Sequence, residues 1–246
     1  MAGAGPPAGK FITIGARPRG GRREEDGSMG KKIFWLLVVL AGAYCALLYS
    51  PDFLFKHSVE HRGFHLRSAE PLEKPYGELL DKVAERLETT RLYSPGREFK
   101  VYLAGPGSLY VLLTPFCGDG KGCTYGMIDD RIVLPFRTPE EAGLPLLVRQ
   151  TLYDLLQEKL RPLEYAFLKD WKLEGYAESV GGESVGYTPS AVCGRDDVPE
   201  DFRLLLEKRL VVELLMTDEK IGIMALLKGP YAYEPAKARM TQRYCQ

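Results

Sequence analysis

Four polar residues lie on two predicted helical segments between positions 146 and 182. Gln150 and Asp154 are four positions apart, so on a helix they share one face, and Thr151 follows the first of them. Glu174, on a second helical segment, could bring a third oxygen to the same cation. A neutral amide is a poor zinc ligand, however, and threonine has no pKa suited to a general base. These residue types therefore disfavour both zinc binding and metal-dependent hydrolysis.

The two segments that carry these residues resemble the active-site helices of gluzincin-type zinc metallopeptidases. Residues 171–178 read WKLEGYAE, similar to a W-x-x-E-G-x-A-E pattern whose first glutamate is the third zinc ligand. Residues 149–157 read RQTLYDLLQ where such families have A-H-E-L-T-H-x-L-Q. This resemblance places Gln150 and Asp154 at the histidine positions and Thr151 at the general base. Glu174 falls on the third ligand, and Glu178 ends the pattern.

The resemblance extends from Phe64 to Leu227, over a layout similar to bacterial membrane-anchored or exported gluzincin-like proteins. Its more specific pieces are LYSPGR at residues 92–97 and EGYAE at residues 174–178. It implies a metallopeptidase-like domain, and the replaced ligands then imply a pseudopeptidase without a cofactor. Such a domain would bind a peptide, an envelope protein or a partner subunit.

Two other interpretations of these residues stay open. In the first, Gln150 and Asp154 are only the polar stripe of a helix whose leucines build the core, and Glu174 pairs locally. In the second, the protein is an active peptidase whose zinc is held by Asp154, Glu174 and a further ligand such as His57 or His61. These histidines form an H-x-x-E-H pattern. That pattern binds metal only within a long helix, and the following residues 64–68 alternate as a strand does, which disfavours a metal site.

Composition predicts one globular domain with appendages. The 246 residues are 45% hydrophobic, enough for one core but hardly two. The 33 basic and 33 acidic residues cancel, and no basic cluster with interleaved aromatics occurs, so we expect no nucleic-acid partner.

A charge-free apolar run from Ile33 to Tyr49 predicts a membrane anchor over residues 33–50. A cleaved signal peptide is the alternative, because Ala41 and Ala43 fit a small-x-small cleavage pattern. Residues 1–32 are predicted to be a disordered cytoplasmic tail, and residues 51–246 an extracytoplasmic domain, periplasmic in a Gram-negative bacterium. The orientation follows from the excess of basic residues before the run: Arg17, Arg19, Arg22, Arg23, Lys31 and Lys32.

The cysteines outside the apolar run are expected to form disulfides, since these persist in an oxidising compartment. Cys117 and Cys123 flank a glycine-rich turn, and Cys193 could join the loop after the second site helix to Cys245. Four free thiols or a zinc site are the alternatives, and C-x5-C is not a zinc-knuckle spacing.

Hydrophobic periodicity predicts an α+β fold with a small mixed sheet followed by a helical half. We expect strands at residues 64–68, 99–103 and 131–135. The resemblance to metallopeptidases implies that the last of them is the edge strand that holds substrate. Helices are expected at residues 76–89, 202–216 and 221–227, in addition to the two site helices.

Overall fold

A computed structural model describes residues 26–72, 76–105, 107–115, 117, 122–125, 130–137, 139–194 and 198–245. The chain divides into two compact units, of which the first ends at Tyr49 and the second begins at Ser50.

The first unit contains helix α1 (Asp26–Tyr49). Its segment Gly30–Tyr49 is 20 residues long, has a mean hydropathy of 1.9, and has the length and composition of a membrane span or a signal sequence. The helix begins at Asp26, so the end of the predicted disordered tail is helical, because extending an existing helix costs little. Residues 1–25 of that predicted tail lie outside the described residues.

The second unit contains a mixed sheet, as the sequence predicts, with five strands where three were expected. The strands are β1 (His57–His61), β2 (Phe64–Ser68), β3 (Phe99–Leu103), β4 (Cys123–Tyr125) and β5 (Arg131–Leu134). Their order is β1-β2-β3-β5-β4, with β2, β3 and β5 parallel and the two outer strands antiparallel to their neighbours.

One strand assignment from the sequence is wrong. Residues 131–134 were expected at the sheet edge, but β5 lies between β3 and β4 and all four of its residues are buried. Its run of apolar residues reflects burial on both faces, which is typical of an inner strand. The edge position belongs to β4, whose three residues are too short a signal to detect by alternation.

Helices α2 (Gly77–Glu88) and α3 (Ser108–Leu113) alternate with the strands. The helical half then comprises α4 (Pro139–Lys159), α5 (Pro162–Ala166), α6 (Asp170–Gly181), α7 (Glu200–Asp218), α8 (Ile223–Lys228) and α9 (Tyr233–Tyr244). A break at Gly143 (φ 68°, ψ 157°) interrupts α4 near its start, since that left-handed φ favours glycine. The sequence predicted the two site helices, α4 and α6.

The core lies between the sheet and helices α2, α4, α6 and α7. Alternate residues of β2 and β3 point into it, together with a leucine-rich face of α4 formed by Leu146, Leu147, Leu152, Leu155 and Leu156. The prediction that these leucines build the core is confirmed. The opposite side of the sheet is covered in part by Phe55, whose ring meets Tyr102 edge-on at 5.0 Å.

Two cysteine pairs lie at disulfide distance, Cys117 with Cys123 and Cys193 with Cys245, in the pairing expected from the sequence. The second pair joins positions 52 residues apart, and a loop of that length is worth on the order of 4 kcal/mol through restriction of the unfolded chain. Cys45 in α1 is a free, exposed thiol.

Helices α6 and α7 pack so closely that only glycine fits at position 175. A Cβ atom there would lie 2.4 Å from the carbonyl oxygen of Lys208 and 2.7 Å from a methyl carbon of Val212. The glycine of the EGYAE segment therefore has a packing role.

We predict that Gly175→Ala lowers the free energy of unfolding by about 1–3 kcal/mol, because α7 must shift to accept the methyl group. Urea unfolding of the full chain in detergent measures this loss. Gly186→Ala is the matched control, since a Cβ at that glycine meets no atom within 4 Å. Equal stability of the two variants would contradict the close helix contact.

Candidate functional site

The Gln150 side chain contacts the edge strand. Its Oε1 accepts a hydrogen bond of 2.7 Å from the Thr124 hydroxyl, and the residue is buried where α4 passes β4. About two turns further along α4, Gln157 Nε2 donates to the Thr124 carbonyl oxygen at 3.3 Å. Two amide side chains of the helix therefore contact one residue of the edge strand.

Asp154 lies on the same side of α4 but contacts a different part of the domain. Its carboxyl group is 0% exposed, and Oδ2 accepts a hydrogen bond of 3.1 Å from Arg97 Nη2. The same guanidinium pairs with Asp130 at 2.9 Å and with Glu158. Oδ1 of Asp154 is buried without a hydrogen-bond partner among the described residues. One arginine thus forms ion pairs with three carboxylates. Burial raises the pKa of Asp154 to about 6.

Glu174 forms an ion pair with Lys208 of α7. It therefore joins α6 to α7, and its carboxylate is half-exposed. Its partner belongs to another helix, 34 positions along the chain, so this pairing is not local. Glu174 and Asp154 pair with different cationic side chains.

The remaining predicted residues have internal hydrogen bonds. Thr151 is fully buried, and its hydroxyl donates to the Leu147 carbonyl oxygen at 2.7 Å, as hydroxyls within helices often do. The side chain of Glu178 is 0% exposed. Its Oε1 accepts a hydrogen bond of 2.7 Å from Arg149 Nη2, and its Oε2 accepts one of 3.1 Å from the Ser184 backbone amide. Glu178 is consequently the acidic half of a buried ion pair between α4 and α6.

The side chains aligned with zinc ligands therefore contact three separate partners: Thr124, Arg97 and Lys208. Among the residues that the structure describes, no group of three or more His, Cys, Asp or Glu side chains is placed to hold a metal ion. His57 and His61 lie on strand β1, not on a helix, and His61 Nε2 is 2.9 Å from Asp81 Oδ1. The H-x-x-E-H spacing therefore does not bring its histidines together as a helical metal motif would.

An open cleft of about 630 Å³ lies where α4 faces the edge strand. Among the residues that the structure describes, its lining carries no charged side chain and consists of Cys117, Gly122, Cys123, Thr124, Gln150, Tyr153, Gln157 and Tyr165. Amides, phenols, a hydroxyl and a cysteine pair therefore form its walls. Burial raises the pKa of Tyr153 and of Tyr165, so both phenols are neutral hydrogen-bonding groups.

Of the predicted site residues outside the cysteines, only Gln150 lines this cleft. The sequence analysis missed Tyr153 and Gln157, although their spacing of three and seven from Gln150 places them on the same helical face. Thr124 and Tyr165 left no comparable signal, because β4 is very short and α5 has five residues. Arg97 belongs to the LYSPGR segment, but its three acidic partners are remote in sequence.

Comparisons of the chain with protein-family models, curated proteins and solved structures found no match.

We predict that the stability contributed by Asp154 decreases as the pH rises from about 4 to about 6. An unfolded aspartate has a pKa of about 3.9, so in this window the folded state retains a proton that the unfolded state has released. Relative to Asp154→Asn, which cannot ionise, the wild-type protein should lose on the order of 2 kcal/mol across the window.

Urea unfolding of both proteins at a series of pH values measures this difference, with Asp201→Asn as an exposed control on α7. A difference between wild type and Asp154→Asn that stays constant from pH 4 to 6.5 would contradict the raised pKa.

Proposed function

We propose that this protein is a membrane-anchored extracytoplasmic pseudopeptidase whose α4–β4 cleft binds an extended polypeptide segment. The observation that carries the proposal is the cleft between the edge strand and the helix that resembles a zinc-binding helix, whose described lining is uncharged. In a peptidase this place would hold metal and substrate, whereas here its walls offer neutral hydrogen-bonding groups.

The chemistry of the cleft favours a peptide backbone as the ligand. Backbone N–H and C=O groups are uncharged donors and acceptors, and they match amide and hydroxyl walls without placing a charge in a partly buried site. Strand β4 is hydrogen-bonded to β5 and lies at the end of the sheet order. Addition of a strand at such an edge is a recurrent way of binding peptides.

The hydrogen bond of Gln157 supports this mode of binding, because its side-chain amide occupies a backbone acceptor of β4 that an added strand would use. The amide donates to the Thr124 carbonyl oxygen over 3.3 Å, longer than the usual 2.9–3.0 Å of such bonds. A peptide N–H could replace this long hydrogen bond with a shorter one. Gln157 would then act as an internal competitor for the edge strand.

The proposed anchor and compartment rest on α1 and the cysteines. α1 has the length and composition to span a bilayer, and the basic residues that precede its apolar run favour a cytoplasmic N-terminus. Two cysteine pairs at disulfide distance fit an oxidising compartment for the second unit.

We propose the absence of hydrolytic activity because the side chains at the predicted site are hydrogen-bonded or paired within the domain and include no histidine. Thr151 uses its hydroxyl within α4, and neither Gln150 nor Asp154 carries the imidazole that zinc hydrolases normally use. A metal-dependent peptidase would need Asp154 and Glu174 to leave Arg97 and Lys208 and to meet a ligand outside these helices. The zinc measurement below separates the two functions.

We predict that the full chain purified in detergent contains no stoichiometric zinc and that a chelator leaves its melting temperature unchanged, because no metal binding is coupled to folding. Elemental analysis and thermal unfolding with and without EDTA measure this. One tightly bound zinc that is lost in Glu174→Ala, but kept in the exposed control Glu183→Ala, would establish the peptidase alternative instead.

We predict that a fluorescent, terminally blocked Thr-Val-Thr-Val-Thr peptide binds the full chain in nanodiscs, and that N-methylation of alternate amides weakens binding at least tenfold. N-methyl groups remove the donors that pair with a strand edge and preserve the side chains. Gln157→Ala should tighten binding roughly fivefold, equivalent to about 1 kcal/mol for removing a competing hydrogen bond. Fluorescence anisotropy measures all three affinities. Equal affinity for the two peptides would contradict binding along the edge strand.

A further inference from the structure

The start of the second unit is fixed to the sheet. Pro51 and Phe55 are buried, and the Phe55 ring packs against Tyr102. Between them, Asp52 Oδ1 accepts a hydrogen bond of 2.6 Å from the Tyr102 hydroxyl and pairs with Arg67 Nη1 at 3.0 Å. The segment from residue 51 to 55 is therefore part of the folded domain and does not act as a flexible linker.

This segment follows α1 directly. The helix ends at Tyr49, and residues 51–54 form a 3-10 turn, which rises about 2 Å per residue. Phe53 is four residues past the end of the apolar helix, so the chain allows it to lie no more than about 13–14 Å from that end. A residue this close along the chain to a membrane-spanning α1 can reach the headgroup layer, which is roughly 5–8 Å thick on each side of a bilayer.

The residues held at this position have the chemistry of a membrane contact. Phe53 is 68% exposed although its neighbours Pro51 and Phe55 point into the domain. Lys56 is also exposed, and no ion pair of its ammonium group is seen among the described residues. The nearby acidic group, Asp52, is paired with Arg67 and does not present an isolated negative charge to lipid phosphates. Phenylalanine rings enter the boundary between headgroups and acyl chains in interfacial segments, and a lysine can bury its stem there while its charged head stays in water.

We propose that Phe53 and Lys56 form a second membrane contact, in which the ring enters the headgroup layer of the bilayer and the ammonium group meets lipid phosphates. The partner is the phospholipid surface around the chain's own anchor. Asp52 and Phe55 fix the segment that carries this contact to the sheet. The inference rests on the proposed retention of α1 as an anchor.

The test uses the full chain with Cys45→Ser, reconstituted in phosphatidylcholine–phosphatidylglycerol vesicles. Phe53→Cys carries an environment-sensitive NBD fluorophore, and Phe167→Cys carries the same label as the control. Phe167 matches Phe53 in type and is 80% exposed, but it lies over a hundred positions along the chain from α1. Quenching by headgroup spin-labelled lipid is compared with quenching by iodide in the buffer.

We expect the label at position 53 to be quenched at least threefold more by the spin-labelled lipid than the label at position 167, and to be protected from iodide. Adding Lys56→Gln should reduce this lipid quenching. Membrane-bound protein whose position 53 is as open to iodide as position 167 would overturn the proposal. Protein that leaves the vesicle fraction would show that α1 is not an anchor, and would overturn the proposed anchoring as well.

Discussion

The buried ion pair between Arg149 and Glu178 is the interaction on which the arrangement of the site helices depends. It joins α4 to α6 at 2.7 Å with the carboxylate fully buried, and the Ser184 amide satisfies its second oxygen. Losing one partner of such a pair leaves an uncompensated buried charge, at a typical cost of 3–5 kcal/mol. The pair therefore fixes which face of α4 is turned to the core and which to the edge strand.

With α4 held in this way, its polar residues reach different neighbours. Gln150 and Gln157 reach β4, Asp154 reaches Arg97, and Thr151 bonds within the helix. The close approach of α7 at Gly175 gives Glu174 its partner, Lys208. A constellation that resembles a metal centre in sequence is thus divided among separate internal contacts, and the described lining of the edge-strand cleft is neutral.

The sequence predicted the strands and helices whose periodicity is strong, such as β3, α2 and the two site helices. It also predicted the cysteine pairing and the apolar N-terminal helix. It misplaced the sheet edge, because burial of Ile132 and Val133 on both faces produces the same apolar run at an edge or at an inner position. The partners of Asp154 and Glu174 could not be predicted, since Arg97 and Lys208 come close only through tertiary packing. Spacing along α4 would have indicated Gln157, whereas nothing in the sequence marks Thr124.

Amide hydrogen exchange across residues 122–125 tests the central claim, that the edge strand of a pseudopeptidase cleft binds an extended segment. The full chain in nanodiscs would be measured with and without a saturating concentration of the blocked peptide. Slower exchange in β4 on addition of the peptide, with exchange in β1 at the opposite edge of the sheet unchanged, is the result that this account predicts. Bound peptide with no change in β4 would contradict it.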